Sequence, residues 1–138
     1  MKLLACYIAL FALVAVTADL GYGRSVYRLM HEVANGDKIA HFVMMGGLAF
    51  LVNRAWLARA SAGRGAVLAA GTAFCLLLAT ADEFSHALLP LRMFSYYDLA
   101  ANYAGIAVLG FVPFVAGPAL RRIERPGAPA GSVIAAQA

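Results

Sequence analysis

The chain has 138 residues, of which 63% are hydrophobic and 13% charged, and its formal net charge is +4. A mean hydropathy of +0.78 is far above that of a soluble domain, whose residues are about half apolar. The chain is therefore read as one membrane-embedded domain, with no length left for a separate soluble one. Nine Arg and two Lys against seven acids would suit nucleic acid, but these charges are scattered between apolar windows and form no basic face.

Four windows are long and apolar enough for a hydrocarbon core of about 30 Å, which takes about 20 helical residues. They are Leu3 to Leu20, Ile39 to Leu57, Gly65 to Leu89 and Asp98 to Leu120. In the first, Lys2 and the "VTA" ending at Ala18 resemble a signal peptide with its cleavage site. The apolar stretch runs on to Leu20 and three more windows follow, which favours a retained span. Neither Cys6 nor Cys75 is placed for a disulfide.

Next comes "GYGRSVYRLMHEVANGDK", with apolar residues at Val26, Leu29, Met30 and Val33 in helical spacing. It predicts a short interfacial helix capped by Ser25 and stopped at Asn35-Gly36, with Tyr22 and Tyr27 in the headgroup layer. The glycines Gly46, Gly47 and Gly71 permit close helix approach, and Trp56 suits an interfacial anchor. Pro113 and Pro118 are expected to kink the fourth span or help end it. The tail 126–138, "GAPAGSVIAAQA" after Pro126, lacks periodicity and is expected to be disordered. The expected fold is thus all-α: about four transmembrane helices in a small bundle over residues 1–125, with an interfacial helix after the first. Seven basic residues (Lys2, Arg54, Arg59, Arg64, Arg121, Arg122, Arg125) flank one side and four (Arg24, Arg28, Lys38, Arg92) the other. The positive-inside rule then puts both termini in the cytoplasm and the chain in the inner membrane.

Polar residues recur at one depth. With successive spans alternating in direction, His41 lies about 6 Å below Asp37, Glu83 about 9 Å and His86 about 4.5 Å below Leu89, and Asn102 about 6 Å below Asp98, at 1.5 Å per residue. Asp37 and His41, Asp82 and His86, and Asp98 and Asn102 are each four apart and share a helix face. Ionisable groups in a membrane turn to the bundle interior, so the three stripes are expected to converge. Arg92, with Lys38, is the cation placed to close the cluster.

The stretches "DKIAHF" (37–42), "DEFSHALLPLR" (82–92) and "DLAANYAG" (98–105) resemble, in order, three signatures of the VanZ-like family, over about Asp37 to Gly110. These are small multi-spanning bacterial membrane proteins, named for a member encoded with a glycopeptide-resistance cluster and associated with teicoplanin resistance. The resemblance implies roles for Asp37, Lys38, His41, Glu83, Arg92, Asp98, Asn102 and Gly105. At His86 the chain departs from the family pattern, which usually has Gln there. The resemblance implies no settled reaction.

Each residue also has a plain structural role open to it. Asp37 and Asp98 both sit where a helix N-cap belongs; His41 and Asn102 suit interhelical hydrogen bonds, Ala101 and Gly105 a close helix contact. Lys38 and Arg92 are long enough to snorkel to lipid phosphates, and Asp82 suits the headgroup region. Glu83 needs a buried partner and is the strongest site candidate. Three functions fit. The first is a binding protein that engages a membrane lipid headgroup or a lipid-linked cell-wall precursor through Asp37, Lys38, His41, Glu83, Arg92, Asp98 and Asn102. The second is an intramembrane enzyme on a lipid-linked substrate, with Glu83, His41 and His86 as acid–base candidates or, with Asp37 or Asp98, as metal ligands. No standard metal spacing occurs and neighbouring cations oppose an ion, so no metal or cofactor is expected. The third is a polar knot that fixes helix register in a membrane scaffold.

Overall fold

A computed structural model describes residues 2–22, 35–61, 63–88 and 93–124. They form four helices: α1 (Lys2–Asp19), α2 (Gly36–Leu57), α3 (Arg64–His86) and α4 (Tyr96–Glu124), with no strand among the described residues. The expected interfacial helix, the tail and Arg92 lie outside the described residues. So do the caps proposed for the interfacial helix, apart from Asn35-Gly36, which forms the start of α2, where Asn35 is left-handed at φ 58°.

Three helices are long and apolar enough to cross a membrane: α2, α3 and the Tyr96–Ala116 part of α4. The apolar helix Lys2–Ala18 in α1 is shorter. Large apolar side chains cover the outside of the bundle, Leu77, Val108 and Val115 among them. In a hydrocarbon solvent such exposure of apolar side chains carries no penalty, because lipid tails are as apolar as the side chains themselves. The chain is a small helical membrane bundle.

α2 is the central element: α4 packs along it most extensively, α3 packs on both, and α1 rests on α2. The core is made by Met45, Leu48, Ala49 and Val52 of α2, Cys75 and Ala79 of α3, and Ile106 of α4. Small residues bring α2 and α4 together. A Cβ added at Gly46 would stand 2.7 Å from the Gly105 carbonyl oxygen, and one added at Gly105 would overlap the Phe42 carbonyl. Gly47 makes room for the Tyr7 hydroxyl, which donates to the Met44 carbonyl at 2.9 Å and fastens α1.

Pairings along the bundle fix direction. His41 meets Asn102 near the starts of α2 and α4, and Asn53 meets Gly110 farther along both, so these helices run parallel. α3 runs the other way, with Thr72 beside Asn53, Thr80 bonded to Tyr103, and Glu83 reaching Ser95 just before α4. The starts of α2 and α4 and the end of α3 therefore occupy one end of the bundle.

α4 does not end at its prolines; it continues through Pro113 and Pro118 to Glu124. Pro118 has no N–H to offer the carbonyl four residues back, which is that of Phe114. Arg64 Nη2 donates to this carbonyl at 3.3 Å, and its guanidinium lies 5.7 Å from the Phe114 ring centre. Arg64, the first residue of α3, opposes the positive end of that helix dipole and finds its acceptors on α4 instead.

Candidate functional site

The first part of the polar end lies between α2 and α4. Asp37 is in the first turn of α2 and accepts from its neighbour twice: Oδ1 from the Lys38 N–H at 2.9 Å and Oδ2 from the Lys38 ammonium at 2.8 Å. Lys38 Nζ also lies 3.4 Å from Asp98 Oδ1, an ion pair that lacks hydrogen-bond geometry. One turn farther along α2, His41 Nδ1 is 3.2 Å from Asn102 Oδ1 and Nε2 is 3.9 Å from Asp98 Oδ2. A hydrogen on Nδ1, in either the imidazolium or the neutral Nδ1–H tautomer, suits the Asn102 amide in this orientation; the Nε2–H tautomer requires the amide turned so that its NH2 donates to Nδ1.

The second part lies at the end of α3. That helix stops at His86, three residues before the expected Leu89, so Glu83 sits in its last turn instead of deeper in the span. A carboxylate there opposes the helix dipole, and Glu83 is also fully buried. Its Oε1 accepts the Ser95 N–H at 2.9 Å and lies 3.5 Å from His86 Nδ1. His86, itself buried, takes the atypical family position and keeps its ring against the acid.

Ser95 joins the two parts. Its hydroxyl accepts the Asp98 N–H at 3.3 Å and its carbonyl accepts from Asp98 and Leu99, which makes it the cap of α4. The sequence "SYYD" sets up a capping box, in which the acid at the third helical position would take the cap residue's own N–H. Glu83 takes that N–H instead. The Asp98 carboxylate is thereby left to face Lys38 and His41. This corrects the expectation that Asp98 is itself an N-cap. Asp37 likewise lies inside its helix, with Asn35 at the cap and making no side-chain cap bond.

Asp37, Lys38, His41, Asp98 and Asn102 are thus in one cluster, with Glu83 and His86 attached through Ser95. Asp82 is half-buried on the same turn as Glu83. Lys38 pairs with carboxylates, not solely with the lipid surface. Arg92 is outside the described residues. Three buried atoms of the layer have no hydrogen-bond partner: Glu83 Oε2, Asp98 Oδ1 and Asn102 Nδ2. Among the described residues no three His, Cys, Asp or Glu side chains come together in a group able to hold a metal ion.

Two features escaped the reading from residues. Ser95 was signalled by its spacing to Asp98, but its tie to Glu83 depends on the fold. Asn53, wholly buried, donates to the Gly110 carbonyl at 2.9 Å and to Thr72 Oγ1 at 3.3 Å. A polar residue inside a span is itself a signal; here it makes a second, interhelical polar contact away from the first, and Gly71 is the small residue that accommodates it.

Three spanning helices that bring charged ends together inside an apolar shell define a small multi-spanning membrane protein with a polar cluster at one end. The chain belongs to the VanZ/LLP1 family, whose model matches residues 4–116. The match takes in α1 as well as the three motifs, more of the chain than the motifs alone cover. Searches of curated proteins and of solved structures found no match.

Proposed function

We propose that this protein acts at the cell envelope from the cytoplasmic membrane, with both termini cytoplasmic and the polar layer in the outer leaflet. There it binds the headgroup of a phospholipid or of a lipid-linked cell-wall intermediate. Asp37, Lys38, His41, Glu83, Asp98 and Asn102 form the site, and Arg92 adds a second cation from the connection before α4. The observation that carries this reading is the Ser95 link, which unites charged groups of three helices into one layer at one end of the bundle. Lys38, with about a third of its side chain exposed, is placed to meet a phosphate from that layer. The family's association with glycopeptide resistance is in keeping with a cell-wall intermediate as the ligand.

The test is to replace Glu83 with Gln and Arg92 with Gln singly in the native host and to measure envelope sensitivity alongside membrane abundance. Loss of the phenotype at unchanged abundance supports a site. A phenotype that falls only as abundance falls supports a scaffold and contradicts binding.

A further inference from the structure

Among the described residues, the polar layer holds more carboxylates than Lys or Arg side chains. The Lys38 ammonium is already shared by Asp37 and Asp98. No Lys or Arg among the described residues pairs with Glu83, whose Oε2 has no hydrogen-bond donor although the side chain is 0% exposed. A buried carboxylate oxygen without a donor is costly. Asn102, 1% exposed, adds an independent vacancy: one end of its amide is engaged by His41, and the other end has no partner. What would satisfy the Glu83 oxygen is a group with N–H donors and a positive charge, and what would satisfy Asn102 Nδ2 is an acceptor.

We propose that the Glu83 end of the layer binds a primary ammonium group, offered by an aminophospholipid headgroup of the ethanolamine type or by a free amine. This rests on the headgroup-binding reading above and assigns the headgroup's chemistry. A primary ammonium has N–H donors for Glu83 Oε2; a quaternary ammonium such as choline has none and leaves that oxygen unsatisfied. The headgroup phosphate then falls toward Lys38, the partly exposed cation of the same layer.

The full chain is purified in detergent and given equal amounts of phosphatidylethanolamine, phosphatidylcholine and phosphatidylglycerol with matched acyl chains, and bound lipid is read by native mass spectrometry. Wild type is expected to retain the ethanolamine lipid about tenfold over the choline lipid, as the loss of one charge-assisted hydrogen bond implies. Glu83→Gln should lower that ratio to within about twofold. Should Glu83→Gln fail to fold, the wild-type ratio decides alone. Millimolar ethanolamine that raises the thermal midpoint of wild type but not of Glu83→Gln identifies a free amine as sufficient; preference for the lipid without that rise assigns the ammonium to a lipid headgroup. Both support the proposal. Equal retention of ethanolamine and choline lipids, or preference for phosphatidylglycerol, overturns it while leaving a headgroup site, provided Asp98→Asn abolishes that retention. If no lipid is retained more by wild type than by Asp98→Asn, headgroup binding falls as well.

Discussion

Glu83 and Ser95 are joined by a 2.9 Å hydrogen bond from the Ser95 N–H to Glu83 Oε1, so the last turn of α3 caps the start of α4. The bond does two things at once. It gives a buried acid a donor, and it displaces Asp98 from the backbone N–H it would otherwise take. Glu83→Gln retains an acceptor and is expected to cost little stability. Glu83→Ala leaves the Ser95 N–H without its acceptor and should cost about 1–3 kcal/mol. Ser95→Ala removes the hydroxyl that caps Asp98 and should cost about 1 kcal/mol. Chemical denaturation in detergent ranks the three; a Glu83→Gln loss as large as that of Glu83→Ala would refute the capping role.

Arg64 and Pro118 make a second pair. Because Arg64 replaces the N–H that Pro118 lacks, Arg64→Ala should cost about 1–3 kcal/mol in the native background. In a Pro118→Ala background an N–H returns to the Phe114 carbonyl, and the same change should cost much less. A double-mutant cycle reads this coupling directly. Additive effects would show that Arg64 does not serve that carbonyl.

Helix approach gives a prediction with a built-in control. Gly46→Ala and Gly105→Ala push a methyl group into backbone across the α2–α4 seam and should each cost about 1–3 kcal/mol. Gly65→Ala meets nothing within 4 Å in α3 and should gain about 0.5–1 kcal/mol from helix propensity. Thermal midpoints of the three variants check both signs.

The sequence made some of this legible and not the rest, for physical reasons. Asp37 with His41 and Asp98 with Asn102 were readable because four-residue spacing places a pair on one helix face whatever the surroundings. Alternating spans alone place the starts of α2 and α4 and the end of α3 at one end of the bundle, where the pairings His41–Asn102 and Glu83–Ser95 put them. Helix ends were less readable: α3 stops at His86 and α4 starts at Tyr96, since both depend on a bond between Glu83 and Ser95 that links different elements. Arg64 read as a topology charge because its acceptor is 50 residues away. The missing N–H of Pro118 was visible all along, but not which residue would answer it.

α1 is held differently from the other helices, by the Tyr7 hydroxyl and by Leu4, Tyr7 and Phe11 against the core. Tyr7→Phe removes one partly buried hydrogen bond and should cost about 0.5–1.5 kcal/mol. Because Tyr7 contacts α2 at Met44 and Gly47, beyond His41, lipid retention should be unchanged. Native mass spectrometry with a thermal scan checks both halves, and a loss of lipid in this variant would place α1 within the binding site.

The central claim is that the polar layer is a ligand site and not only a register lock. The most direct measurement is lipid occupancy and thermal midpoint on the same samples of wild type and Asp98→Asn, because Asp98 faces both Lys38 and His41 while Ser95 still caps its helix. The expected result is a loss of retained lipid of about tenfold or more, with the lipid-free midpoint little changed. Unchanged lipid occupancy with a sharply lowered midpoint would contradict the account and make the layer a structural knot.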